Sequence, residues 1–529
     1  MELCCTDAVT LCGLAPTRRS LHVLAPHQTL RSCHGYMVYK SPSGARIVLP
    51  RLMRATRSIL SGRTSMQARP LRLWLPLIAM LGAASCRKLP AAAGSPGPVQ
   101  QPGAGATHTP GSGAAPTPQL GRVAYVRHGD LWVKALPDGE PRRLTQDGHN
   151  RAPRWSPSGE WLAFVKGAKQ PWELWLTRSS GGEPQRVDWL GTGPGQKMAW
   201  SPASDRLAYI SQDGLLVTLD ADGSDRRELG TPSEGVPGTG AQALSWSPDG
   251  QYLASVYVVQ RKPGSPGQYQ EPYAVLWRIR SDESEATELL NAGRPSTGGF
   301  IVVGWSPDGT FLLYWPQPMF SASLLADGVP LMAVPASGGT PQEVTAGMLA
   351  YQDFLTWSPD GRLLALVEGT SRATWESKSI AVGALGSLQR RSDPDRADLF
   401  PAWSPDGRWI AYTSGPAESQ IGGGEAAQRA LEQRRIWLMA PDGSNRRLLV
   451  DDPTYRDERP RWSRDGSWLL FTRMQGDQAQ LWLVKADGTA LQQVVEELGP
   501  LPGWFGFYGY IDWSALYDWW PGMPAGAPR

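Results

Sequence analysis

The chain is poor in side chains that react and rich in side chains that bind or turn. After residue 120 it has two histidines, His128 and His149; no cysteine follows Cys86, and no Gly-x-Ser-x-Gly occurs in its 529 residues. A serine or cysteine nucleophile with its base, a disulfide framework and a cysteine-based zinc site are therefore not written into the main body. Carboxylates recur at Asp249, Asp308, Asp360, Asp406 and Asp465, a set that could ring a metal. Each sits in an Asp-Gly dipeptide, so the reading adopted is turn chemistry. Asp220, Asp222 and Asp225 lack the spacing and terminal Glu of a calcium loop, and read as a hairpin. Arginine pairs at 142–143, 226–227, 390–391 and 446–447 could line an anion-binding rim, but read better as solvated guards on outer strands. The densest aromatic group is Trp504, Phe505, Phe507 and Tyr508. With His149 it forms the candidate binding face, suited to a peptide or a sugar ring, the alternative being a lid over a structural seam. No metal site and no cofactor are assigned.

The elements that would position these groups follow from composition and repetition. Tryptophan is abundant at 24 against 9 phenylalanines, and Gly and Pro number 59 and 47. That favours many short strands joined by tight turns. Trp-Ser recurs at Trp155, Trp200, Trp246, Trp305, Trp357, Trp403, Trp462 and Trp513, with spacings of 45, 46, 59, 52, 46, 59 and 51 residues. Four copies continue as Trp-Ser-Pro-Asp-Gly. An apolar run such as Trp409-Ile410-Ala411-Tyr412 follows the turn. Then come a Leu/Ile-Trp run such as Ile436-Trp437, a second glycine turn, and a fourth strand such as Arg446-Arg447-Leu448. Four antiparallel strands repeated radially make a blade of a β-propeller.

This repeat resembles the TolB-type propeller over about residues 121–514, and lacks the Gly-His and Trp-Asp markers of the WD repeat. The resemblance implies an all-β propeller. Residues 121–145 supply strands two to four of a unit, and Tyr510–Ser514 reads as its missing first strand. Joining them gives eight blades closed by pairing the two ends; seven, with the ends as caps, is the alternative. The short turns fall on one face of the ring. The insertions 258–273, 315–330, 414–435 and 499–510 fall on the other, which is expected to point away from the membrane.

Upstream, Arg69 and Arg72 precede the apolar run Leu73–Leu81 and the small residues before Cys86, the layout of a secretory signal too short to span a bilayer. Ala83-Ala84-Ser85-Cys86 resembles a bacterial lipoprotein box, with Ala83 standing where Leu is usual. The resemblance implies a diacylglyceryl group on Cys86 and a signal peptide at 66–85. Residues 1–65 read as an unstructured upstream extension, and 86–120 as a Pro/Gly/Ala tether with ends about 30–35 Å apart. Residues 515–529 read as a C-terminal tail. A net charge of +3 gives no nucleic-acid footprint. The expectation is a monomeric, extracytoplasmic, lipid-anchored module that binds an envelope protein or peptide and is not an enzyme. A glycan-binding or glycan-cleaving propeller, and a small-ligand or ion sensor using the central channel, are the alternatives.

Overall fold

The computed structural model describes residues 36–40, 46–50, 120–191, 197–230, 240–259, 273–292, 298–318, 327–419, 423–501 and 508–523. The chain divides into two compact units, Met1–His108 and Thr109–Arg529. In the first, Tyr36–Lys40 pairs antiparallel with Arg46–Pro50. This hairpin lies inside the stretch read from sequence as unstructured; Val38, Tyr39, Ile47 and Val48 are strand-forming residues that meet across it.

The second unit contains eight four-stranded antiparallel sheets. Blade one combines Tyr517–Trp520 with Arg122–Arg127, Asp130–Ala135 and Arg142–Arg143. Blades two to eight take their strands consecutively. Their inner strands are Asn150–Trp155, Met198–Trp200, Gly240–Trp246, Gly298–Trp305, Leu355–Trp357, Arg396–Trp403 and Arg456–Trp462. Each blade contacts the next and the eighth contacts the first, so the ring is closed. This is the eight-bladed arrangement that the repeat predicts.

One pairing rule runs through all eight blades. The repeat tryptophan lies opposite the first buried aliphatic residue of the second strand: Trp155 opposite Leu162, Trp200 opposite Leu207, Trp246 opposite Leu253, Trp403 opposite Ile410 and Trp462 opposite Leu469. In blade one the residue opposite Val123 is Trp519. The closing strand is therefore Tyr517–Trp520 and not Tyr510–Ser514, whose Trp513–Ala515 forms a 3-10 turn. Ala515-Leu516 after Ser514 cannot supply the Pro-Asp-Gly turn, whereas Trp519-Trp520-Pro521-Gly522 keeps its Trp, Pro and Gly. Trp519 and Trp520 are thus blade residues rather than a tail, and the propeller extends past residue 514.

The turns themselves are self-sufficient. Ser247 donates to Asp249 Oδ1 at 2.6 Å, which also accepts Gln251 N at 3.0 Å, while Tyr252 N donates back to Ser247 Oγ at 2.9 Å. The same serine–aspartate pair closes the turns at Asp308, Asp360, Asp406 and Asp465. These carboxylates each close their own turn. Between blades, the indole N–H of one inner strand reaches the carbonyl before the tryptophan of the preceding blade. Trp200 donates to Arg154 O at 3.1 Å, Trp246 to Ala199 O at 3.0 Å, Trp305 to Ser245 O at 3.2 Å and Trp462 to Ala402 O at 3.0 Å. At the seam Trp155 donates to Asp518 O at 3.2 Å.

Candidate functional site

Strand parity puts the Trp-Ser turns on one face, and the second-to-third-strand loops and blade crossings on the other, elaborated face. From that elaborated side, residues 508–516 enter the ring axis before becoming the closing strand. This segment acts as a plug, and its anchors are polar. Glu458, at the start of the blade-eight inner strand, is fully buried. Its Oε1 accepts Arg434 Nη1 at 2.5 Å and Arg456 Nη2 at 2.6 Å, and its Oε2 accepts the Trp513 indole at 3.1 Å. The same two guanidiniums donate to Gly509 O at 2.9 and 3.0 Å. Burial pushes the Glu458 carboxyl up, but Arg456 and Arg434 outweigh it and hold it below its usual range. Gly509 has φ +75°, and a Cβ there would lie 2.5 Å from Thr374 Oγ1, so only glycine passes this point.

A second anchor is aromatic. Tyr510 stacks on Tyr351 with ring centroids 3.6 Å apart, between Phe354 and Phe400. Its hydroxyl donates to Asp353 Oδ1 at 3.1 Å. Burial pushes the Asp353 carboxyl up to about 7, a rise that Arg459 at 3.6 Å only partly offsets.

The residues immediately before the repeat tryptophans circle the axis below the plug. They are Arg154, Ala199, Ser245, Gly304, Thr356, Ala402, Arg461 and Asp518, all half-buried. Five consecutive blades, three to seven, contribute small residues, and blades eight, one and two contribute charge. Asp518 accepts Arg461 Nη1 at 3.2 Å and Trp155 N at 3.0 Å. Asp512, on the plug, is exposed towards this ring and accepts Ser514 N and Oγ at 3.1 and 2.6 Å.

The sequence-predicted sites distribute unevenly over this frame. Trp504, Phe505, Phe507 and Cys86 lie outside the described residues. Tyr508 is half-buried and packs beside a small apolar cluster of Ala373, Trp375, Ala427, Ala430 and Leu431. Three of these belong to a helix, Glu425–Glu432, inside the longest insertion, which sequence reading took only as loop. Its spacing of Ala427, Ala430 and Leu431 is the helical signal that was available. Arg372 lies over Tyr508 at 5.4 Å and forms a two-pronged pair with Asp327 at 2.5 and 2.6 Å. His149 is exposed on the crossing from blade one to blade two, and among the described residues no contact joins it to Tyr508. Of the arginine pairs, Arg142 and Arg447 hold the neighbouring blades by donating to Ser180 O and Ala486 O, each at 2.5 Å. Arg143, Arg226, Arg227 and Arg390 make ion pairs, Arg227 with Asp225 and Arg390 with Glu368 among them. Among the described residues no His, Cys, Asp or Glu group could hold a metal. The axial arginines Arg154, Arg459 and Arg461 were missed, because each looks like an ordinary strand residue until the ring is closed.

Solved structures similar to this chain are distant in sequence. TolB from Acinetobacter baumannii is 14% identical, with 71% of this chain and 63% of that one covered and a TM-score of 0.32. Porphyromonas gingivalis dipeptidyl peptidase 4 is 11% identical over 70% of this chain and 57% of its own, with a TM-score of 0.48. Oligogalacturonate lyase from Vibrio parahaemolyticus is 12% identical over 67% of this chain and 93% of its own, with a TM-score of 0.40. No protein-family model and no curated protein matches the chain.

Proposed function

We propose that this chain is an extracytoplasmic, lipid-anchored propeller that recognises an envelope protein or peptide through its elaborated face. The observation that carries the reading is the plug: residues 508–516 fill the axis from that side and carry Tyr508 to the surface beside Arg372 and the helix Glu425–Glu432. A rigid ring thus presents an aromatic residue, a guanidinium and an amphipathic helix on one side, the composition of a protein-binding patch. The helix buries Ala427, Ala430 and Leu431 and leaves Gln428 and Arg429 exposed, where they pair along the helix itself with Glu432 and Glu425. Among the described residues no helix is long and apolar enough to cross a membrane. The signal-like residues 66–85 and Cys86 support attachment by a lipid.

Two measurements test this. Replacing Cys86→Ser should abolish incorporation of labelled fatty acid and move the protein from the membrane fraction to the soluble one; retained labelling would end the anchoring claim. Capture from solubilised envelope with Arg429→Glu together with Gln428→Ala should lose a partner that Arg362→Glu, on the opposite face, retains. Equal capture by both variants would refute recognition by the elaborated face.

A further inference from the structure

The face of the short turns is unevenly charged, and its more basic part lies where the chain enters the ring. Leu120, just before the second strand of blade one, packs among Trp468, Leu470 and Leu483 of blade eight, and its carbonyl accepts the Trp519 indole at 2.8 Å. By strand parity this entry point is on the short-turn face. A chain attached at Cys86, 34 residues upstream, therefore holds blades eight and one nearest the bilayer. We propose, resting on the lipid attachment proposed above, that the short turns of blades seven and eight and the adjoining seam dock on anionic phospholipid headgroups.

Cations stand at the tips of these turns. Arg408 pairs only loosely with Asp406, at 3.6 Å, and its side chain is 80% exposed. Arg446, Arg464 and Lys485 are exposed and Arg447 is half-buried. The carboxylates among them, Asp406, Asp442, Asp465 and Asp487, are short and turned inward, each accepting a serine or threonine hydroxyl of its own turn. Five long cations thus reach past four carboxylates. The short turns of blades two to four, at 157–161, 178–183, 201–206, 220–227, 247–251 and 280–285, show the reverse, with five arginines against ten carboxylates. An anionic surface attracts the first sector and repels the second, which tilts the ring seam-down. Exposed aliphatic side chains add to the same sector. Leu491, in the second short turn of blade eight, is 40% exposed, and Met523, just past the closing strand, is 41% exposed. Cations flanking exposed aliphatic groups suit the headgroup boundary of a bilayer.

A few cations are screened at cellular ionic strength, so this surface orients a ring that the lipid holds. Co-sedimentation of the full-length Cys86→Ser chain, which carries no lipid, tests it, using vesicles of equimolar phosphatidylglycerol and phosphatidylcholine at low ionic strength. We expect binding to these vesicles and none to pure phosphatidylcholine. Arg408→Glu and Lys485→Glu, each added to that chain, should weaken binding by at least about fivefold. Lys169→Glu, the same charge change on an exposed loop of the elaborated face, should leave it unchanged. No binding to either vesicle, equal binding to both, or an equal loss in Lys169→Glu would overturn the proposal. Failure here leaves fatty-acid labelling of Cys86 untouched, and failure of that labelling leaves binding by the acyl-free chain untouched, so the two readings fall separately.

Discussion

At the scale of single residues, two carboxylates, the buried Glu458 and the half-buried Asp353, behave oppositely. Glu458 is compensated by two arginines and an indole, so removing it strands Arg434 and Arg456 in the interior. Glu458→Ala is expected to destabilise the ring by about 3–5 kcal/mol, read from urea unfolding; a cost below about 1 kcal/mol would show that the plug is not held there. Asp353 is under-compensated. Its carboxyl stands at about 7 in the folded chain against an ordinary value of 3.8. Between those values the folded state keeps a proton that the unfolded chain has released, so stability falls as pH rises through that window and levels off above 7. Asp398, raised by burial to about 6, adds a slope of the same sign. Unfolding at pH 5 and pH 8 should therefore give the lower stability at pH 8, and Asp353→Asn should recover more at pH 8 than at pH 5, by about 1–3 kcal/mol. A wild-type chain equally stable at both values would contradict the burial of Asp353.

At the scale of elements, the unit of construction is an inner strand whose tryptophan does two jobs. It faces an aliphatic partner in its own blade and, in blades two to five and eight, donates its N–H to the blade before. Trp200→Phe keeps the ring packing and deletes the donation to Arg154 O, so it is expected to cost about 1 kcal/mol. A neutral effect would show the bond to be incidental. This is also where sequence reading succeeds and fails. Trp-Ser-Pro-Asp-Gly is local chemistry, with serine, aspartate and glycine satisfying one turn among themselves, and local chemistry is legible without coordinates. Eight blades and their order follow from it. Trp513 misled because Trp-Ser alone carries half the signal; the missing Pro-Asp-Gly was the warning. The axial charges were illegible for a different reason: Arg154, Arg461 and Asp518 are brought together by ring closure, with 360 residues between Arg154 and Ser514. The helix Glu425–Glu432 was hidden by its brevity, at eight residues.

At the scale of the whole molecule, the ring depends on one short strand. Tyr517–Trp520 gives blade one its inner edge, and Trp520 lies against the turn of blade two, where a Cβ on Gly159 would approach its ring to 2.4 Å. Arg122 stacks on Trp520 at 4.7 Å and donates to Gly159 O at 2.7 Å, tying three strands together. A chain ended after Leu516 should lose the seam, expose the Arg122–Arg127 edge and elute as aggregate in size-exclusion chromatography. Monodisperse, cooperatively unfolding protein would show that the seam is dispensable.

Trp519 donates its indole N–H to Leu120 O across 399 residues of chain. A chain delivered N-terminal end first, as the proposed export would deliver it, can pack seven blades while the first still lacks its innermost strand. Until that last segment arrives the protein is an open arc, with one raw margin waiting. Substitutions near Trp519 should then weigh on yield during biogenesis, through how long that margin stays bare to chaperones and proteases, more heavily than on the finished ring.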